Sequence, residues 1–417
     1  MLTALKFREY RIFWIGNLTS NIGIWLLFSG RLWLMNELTN SALFLGILAF
    51  ASSFPILLFS MWGGVVADRV NRVRLVTITR ALFAVTAILT GLLIAFDLIL
   101  PWHLIVISFI NGILLSFDIP SRQAMVPNLL PREHLVNAFA LLSILGTGSA
   151  ILGPTFLPLI IKAWGMSGVF IFVGVAYAFT ALMFSQLTTQ KIYGNSNGQK
   201  PWDDLLEGLA YIKPNGVMVA LIIIGIVTGI FAAPFVTLLP VFVSDILKGN
   251  VESYGHLLLT MGIGAMCGAI VMTQFGKLTD SDSVPLMTIF GLKIGLNYIQ
   301  IVAGVGFGIS LIFFAVSNSF QVAIIIIAIV GAFSLIFTTI NNTFLQTIVE
   351  DKFRGRVSSI YQLGWGASAF GGLLLGALAH GFGTRFALAL CASIATISIF
   401  GLCIYIKHCF SRNTRIS

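Results

Sequence analysis

The 417-residue sequence predicts an all-α integral membrane protein with twelve transmembrane helices, and three observations predict it. The chain is 58% hydrophobic and 9% charged, where an ordinary soluble domain carries about 25% charged residues, so it cannot dissolve as one globule. Its apolar residues fall in long runs bounded by charges or turn residues. A hydrocarbon core about 30 Å thick takes about 20 residues per helix, so twelve spans use roughly 240 residues and leave only short loops. The third observation is where Lys and Arg fall between the runs, since basic loops resist translocation.

The first half supplies spans at 12–34, 42–62, 75–96, 102–121, 136–161 and 165–187. The first run is too long for a signal-peptide core and lacks a small-residue cleavage site after it, so it is span 1. The second half supplies 217–242, 254–274, 292–316, 320–342, 357–379 and 385–406. Before span 9 the apolar stretch starts near Val284, longer than one span needs, and includes room for an interfacial piece. With the amino terminus inside, 19 of the 24 Lys and Arg lie on the cytoplasmic side. Only Lys162, Lys248 and Arg385 are left outside, with Arg31 and Lys293 within spans. Both termini are therefore expected in the cytoplasm, and the net charge of +9 needs no nucleic-acid partner.

The one long polar segment, from about Thr188 to Asn215, divides the chain into a six-helix bundle at 1–190, a linker at 191–215 and a second bundle at 216–417. Pro201 opens a short helix in that linker. Trp202, Leu205, Leu206 and Leu209 recur at i, i+3, i+4 and i+7, and Asp203 and Asp204 suit a helix amino terminus, so it is expected to lie on the membrane face.

Enzyme chemistry has little to stand on. Cys267, Cys391, Cys403 and Cys409 form no C-x-x-C pair, and the five histidines form no metal-binding cluster. No phosphate-binding loop for ATP exists, and Gly262-x-Gly264 lies within a span, where close helix packing accounts for it. No cofactor and no metal are expected.

The two halves repeat each other. Gly64-Val65-Val66-Ala67-Asp68-Arg69-Val70-Asn71-Arg72 follows span 2, and a reduced Gly276-Lys277-Leu278-Thr279-Asp280 follows span 8. The stretch from Leu130 to Asn137 after span 4 corresponds to Val349 to Arg356 after span 10, and Gly153 in span 5 matches Gly371 in span 11. Six plus six helices in parallel repeat imply two bundles related by an axis along the membrane normal.

On these residues the chain resembles the major facilitator superfamily, and within it the branch of the enterobactin exporter and related macrolide, drug and peptide-antibiotic exporters. Gly64 to Arg72 is similar to that family's loop motif G-x-L-A-D-R-x-G-R, with Val66 for Leu and Asn71 for the second Gly. Asp118-Ile119-Pro120-Ser121-Arg122-Gln123-Ala124 and Phe353-Arg354-Gly355-Arg356-Val357 resemble the narrower branch. The resemblance implies a monomeric, multi-pass transporter of the bacterial plasma membrane, with protons as coupling ion. It implies a charge latch at Gly64, Asp68, Arg69 and Arg72, with Asp118 as an acidic partner at the end of span 4. Gly148, Gly153 and Pro154 partly match an exporter-associated motif that bends span 5, although Leu157 and Pro158 stand where two glycines are usual. Arg74 and Arg80 are read as topology signals.

In such a fold the pathway is lined by spans 1, 4, 7 and 10, and each carries a stripe. Span 1 places Asn17, Ser20 and Asn21 on one face, and span 4 places Ser108 and Asn111 three residues apart with Asp118 beyond. Span 7 offers Thr228, Phe231 and Phe235, and span 10 offers Ser334, Thr338 and Asn341. A cavity with few fixed charges, walled by amides, hydroxyls and phenylalanines, suits an amphipathic solute. Each hydroxyl alone also fits a bond to its own helix backbone, and each Phe fits ordinary packing. Arg31 is expected near the outer surface, snorkelling or paired with Glu37, and no carboxylate is expected deep in the membrane. The resulting expectation is a proton-coupled exporter of a drug, antibiotic or siderophore. Uptake of a small metabolite by symport fits the same motifs, and a non-transporting sensor or scaffold would have no use for the stripes.

Overall fold

In a computed structural model the described residues are 3–188, 201–275, 277–279, 286–289, 292–350 and 352–413. They divide into two compact units, Met1–Gly198 and Gln199–Ser417. Among them, ten helices are long and apolar enough to cross a membrane.

Unit 1 begins with a 3-10 turn, Thr3–Lys6, followed by α1 (Arg8–Thr39), α2 (Ala42–Arg69), α3 (Arg72–Ala95), α4 (Pro101–Met125) and α5 (Leu135–Ser185). The breaks are chemically marked. Asn40 ends α1 in the left-handed region at φ 46°, the Asn71 side chain caps α3 by accepting from the Arg74 N–H, and Pro101 opens α4 where no N–H is needed. The 51 residues of α5 would reach about 75 Å if straight, far more than a bilayer spans. The break is Gly165, at φ 70° and ψ −176°, backbone that essentially only glycine adopts. The reversal therefore falls between the expected spans 5 and 6, whereas Gly148, Gly153 and Pro154 keep helical dihedrals. Gly153 instead permits contact, because a Cβ there would come within 2.6 Å of Trp25 Cβ on α1.

Unit 2 comprises α6 (Pro201–Ile212), α7 (Gly216–Val227), α8 (Leu239–Val241), α9 (Val251–Phe275), α10 (Leu296–Val316), α11 (Phe320–Ile348), α12 (Arg354–Gly366), α13 (Ser368–Phe382) and α14 (Thr384–Asn413). Span 7 was expected as one helix and is not one. It passes from α7 through a π turn at Thr228–Ala232 and a 3-10 stretch at Ala233–Leu238 into α8 and a second π turn at Phe242–Ile246. Pro234 and Pro240 supply the reason, since each removes an N–H and pushes against the carbonyl four residues earlier.

Span 9 starts later than expected, at Leu296. Before it stand three short antiparallel strands, β1 (Lys277–Thr279), β2 (Leu286–Ile289) and β3 (Leu292–Gly295), paired in that order. Residues 276 and 280, and the Tyr193–Gly198 part of the linker, lie outside the described residues. The linker helix α6 belongs to unit 2 and packs on α12. Leu206 and Leu209 are exposed, while the side chains of Trp202 and Leu205 lie outside the description.

The repeat is visible in the backbone. Gly165 and Gly383 both take positive φ, 70° and 89°, and each follows its matched glycine, Gly153 or Gly371, by the same interval of twelve residues. Gly112 on α4 and Gly331 on α11 also correspond, each lying against a backbone carbonyl, of Ser52 on α2 and of Met261 on α9. Small residues there let helices approach backbone to backbone.

Candidate functional site

Unit 1 holds a polar strip inside its apolar bundle. Asp118 on α4 and Arg80 on α3 are both fully buried, and Arg80 Nη2 donates to Asp118 Oδ2 at 2.6 Å. Arg122, one turn along α4, donates from Nε to the same oxygen at 2.6 Å and from Nη1 to Asn17 Oδ1 on α1 at 2.7 Å. The Thr79 hydroxyl donates to Asp118 Oδ1 at 3.2 Å. The Arg80 guanidinium also lies 5.7 Å from the Phe83 ring centre and 5.6 Å from that of Tyr177. Toward the Met125 end of α4, Tyr10, Phe13, Val76, Met125, Leu141 and Phe184 form a buried apolar cluster beside it.

The strip continues along α4. Asn111 accepts from the Thr86 hydroxyl of α3 at 2.9 Å, and Ser108 accepts from Arg31 Nη1 of α1 at 3.0 Å. The contacts Arg31–Ser108 and Asn17–Arg122 are fourteen residues apart on both helices, as antiparallel neighbours require, so the strip is about 21 Å long. Burying such charges is costly unless each is paired and hydrogen-bonded.

Several expectations change here. Arg80 is not a topology signal but the innermost cation of the cluster. Asp118 stands about 10 Å along α4 from its Met125 end, near the end of span 4 as expected, and is fully buried within the bundle. Arg31 does not pair with Glu37, which accepts instead from Trp33 Nε1 at 2.6 Å. The low fixed charge expected of the stripes does not hold in unit 1. In the loop motif, Gly64 has open space where its Cβ would be, while a Cβ on Gly63 would collide with the Ser116 carbonyl, so Gly63 is the packing glycine. Arg72 donates to the carbonyls of Ala67 at 3.1 Å and Ala124 at 3.0 Å, tying the ends of α2 and α4 together. Arg69 is exposed, and the Asp68 side chain lies outside the described atoms.

Unit 2 builds a neutral counterpart. Gln300 Nε2 on α10 donates to Asn341 Oδ1 on α11 at 2.6 Å. Asn341 Nδ2 donates to the Leu221 carbonyl on α7 at 3.2 Å and to the Tyr361 hydroxyl at 3.0 Å. A narrow recess adjoins it, lined by Gly225, Thr228, Gly229, Ala233, Phe337, Thr338, Asn341 and Tyr361. Phe231 and Phe235 do not line that recess, because the π and 3-10 turns cancel the i, i+4 spacing that put them on one face with Thr228. The lone hydroxyls bond as ordinary helical ones do: Ser20 to the Asn17 carbonyl, Thr228 to that of Ile224, Thr338 to that of Ser334. Asn21 likewise donates to the Asn17 carbonyl, at 2.8 Å, and Ser334 is half-buried.

Sequence reasoning missed Arg80, Arg122, Tyr177, Gln300 and Tyr361. For Arg80 a signal existed: it stands eight residues inside α3, deeper than a topology residue needs, and Arg122 follows Asp118 at i+4.

Residues 1–411 match the family described as transmembrane secretion effector. A staphyloferrin A transporter of Staphylococcus aureus is 26% identical over 384 residues, covering 91% of this chain and 90% of that protein. Macrolide efflux protein A of Streptococcus pyogenes is 22% identical and covers 85% of each chain. The multidrug efflux pump Tap of Mycolicibacterium fortuitum is 23% identical and covers 84% of each. Among solved structures, the nucleoside transporter NupG has a TM-score of 0.73 at 13% identity, covering 96% of this chain and 99% of that one. A D-xylose–proton symporter has a TM-score of 0.71 at 12% identity, covering 95% and 96%. The chain belongs to the transmembrane secretion effector family of the major facilitator superfamily and has the major facilitator fold.

Proposed function

We propose that this protein is a proton-coupled exporter of a small amphipathic molecule, a drug, antibiotic or siderophore, working by alternating access in a bacterial plasma membrane. The observation that carries the reading is the buried strip of unit 1. A bundle that only had to stay folded would not place Arg80, Asp118 and Arg122 inside apolar helices, where charges are expensive and mark transport paths. Export is supported by relatives along most of the chain that are named as efflux proteins. Protons are supported by Asp118, the one buried carboxylate among the described residues, to which we assign the coupling step. The bias of Lys and Arg supports both termini in the cytoplasm. Asp68 keeps its proposed role in closing the cytoplasmic side.

The test uses inside-out membrane vesicles energised to an acid interior and a panel of macrolides, hydrophobic cations and siderophores. Accumulation of a panel member that an uncoupler abolishes, and that Asp118→Asn lowers at least tenfold, is the expected result. Accumulation indifferent to the uncoupler would remove the proton, and accumulation only in right-side-out vesicles would reverse the direction.

A further inference from the structure

The strip in unit 1 is unbalanced in charge. Arg31, Arg80 and Arg122 bring three guanidiniums and Asp118 one carboxylate, an excess of two positive charges among the described side chains of the strip. All four groups lie within electrostatic reach of the buried Tyr177, and among the described side chains Asp118 is the one acidic group that does.

The hydrogen bonds are unbalanced in the same sense. Arg80 Nε and Nη1, Asn111 Nδ2 and the Tyr177 hydroxyl are buried without a hydrogen-bond partner. The first three can only donate, and the fourth can donate. Leaving buried donors unmade is costly, so the strip carries an excess of donors and of positive charge that an approaching anion would offset. The cations are also spread out: Ser108, which Arg31 reaches, lies ten residues or about 15 Å along α4 from Asp118. Arg31 and Arg122 keep part of their surface exposed, while Arg80 keeps none.

We propose that this strip binds an anionic cargo, a small molecule carrying two or more carboxylate or phosphate groups. Arg31 and Arg122, which are partly exposed, meet its oxyanions at the two ends of the strip, and the enclosed Arg80 between them contributes positive charge. The inference rests on the export reading and narrows its cargo. Guanidinium forks match planar and tetrahedral oxyanions in a way lysine does not, which fits the strip's use of arginine alone.

The experiment is a binding titration of the purified full chain in lipid nanodiscs with citrate, inorganic pyrophosphate and, as an uncharged control, triethyl citrate. Saturable binding of citrate or pyrophosphate and none of the ester is expected, and which of the two binds tells carboxylate from phosphate. Arg31→Gln should weaken it about tenfold or more and Arg31→Lys recover only part. Arg31 is partly exposed, so its variants are expected to fold, with thermal unfolding as the check; Arg122→Lys is the second variant and should weaken binding in the same sense. Absence of saturable oxyanion binding, equal binding of the ester, or indifference to both Arg31→Gln and Arg122→Lys would overturn the proposal. Uncoupler-sensitive export of a neutral macrolide without oxyanion binding would remove this inference and keep the exporter. Oxyanion binding with no gradient-driven transport of any panel member would do the reverse.

Discussion

Unit 1 fastens its third and fourth helices with a guanidinium and a carboxylate, Arg80 and Asp118 at 2.6 Å, where unit 2 fastens α10 and α11 with two amides, Gln300 and Asn341, also at 2.6 Å. The likeness goes further, because the register that superposes Gly112 on Gly331 also superposes Arg122 on Asn341. Each of those residues bonds back to the first long helix of its own unit, Arg122 to Asn17 on α1 and Asn341 to the Leu221 carbonyl on α7. The same crossing of three helices is thus cross-linked twice, once with charges and once without. Amides suffice to hold it, and they avoid the desolvation of ions. The charges of unit 1 therefore answer to something other than holding the bundle, which is the ground for seeking function there.

The largest effect should come from unpairing the charged version. Asp118→Leu leaves Arg80 and Arg122 facing each other without a carboxylate, a loss of about 3–5 kcal/mol by analogy with other broken buried ion pairs. Asn341→Leu in unit 2 strands Gln300 and Tyr361 and should cost about 1–3 kcal/mol. Thermal unfolding of the two variants in one detergent checks the ranking, and equal losses would break the comparison. The double variant Arg80→Gln with Asp118→Asn sharpens it. That protein carries two amides in unit 1 as unit 2 does, but Arg122, which shares Asp118 Oδ2 and is 16% exposed, loses its carboxylate, so the variant should lose about 1–3 kcal/mol, less than Asp118→Leu. Its transport should nevertheless fall at least tenfold.

The fold was legible because it is written in long apolar runs and in where Lys and Arg interrupt them. A run of 20 apolar residues needs no tertiary information to be read as a span. The repeat was legible for a similar reason, since Gly153 and Gly371 sit at matching places in the two halves. The site was legible only as far as residue types on separate helices. Asn17, Asn111 and Asp118 could be named, but the partners that give them meaning come from elsewhere, Arg122 beyond a turn of α4 and Arg80 from α3. Helical spacing says which side chains share a face and not which neighbouring face they meet. In span 7 even the spacing failed, because two prolines change the residues per turn.

A middle-sized effect tests whether the repeat holds in the backbone. Gly165 and Gly383 each turn one membrane helix into the next at positive φ, and neither would have its Cβ near another atom. Alanine at either site is opposed by backbone strain alone, about 1–3 kcal/mol, with no steric term to blur it. Gly165→Ala and Gly383→Ala should therefore lower the thermal midpoint by similar amounts, and Gly148→Ala, in regular helix with open space around it, should not lower it. A large difference between the first two would mean that the matched turns are alike in angle and not in energetic role.

The smallest effect concerns the segments that precede each unit's first long helix, and it separates aromatic packing from charge. In unit 1, Asn137 accepts from the Ala4 N–H at 3.0 Å and Phe7 lies 5.1 Å from the His134 ring. In unit 2, α6 packs on the segment around Phe353. Tyr211 stacks on Phe353 at 4.1 Å and its hydroxyl accepts from the Glu350 N–H, while Glu207 pairs with Arg356 at 2.8 Å. Glu207 is 45% exposed, so its ion pair is screened by water and salt and contributes at most about 1 kcal/mol. The stacked pair adds about 0.5–1.5 kcal/mol beyond the area it buries. Hydrogen exchange across 201–212 should therefore quicken clearly in Tyr211→Ala and only slightly in Glu207→Gln, with the Glu207 effect vanishing in high salt. If Glu207→Gln instead released α6 as fully as Tyr211→Ala, charge would hold the linker helix in unit 2. The two preceding segments would then differ in kind, since among the described residues the one in unit 1 is held through Asn137 and Phe7.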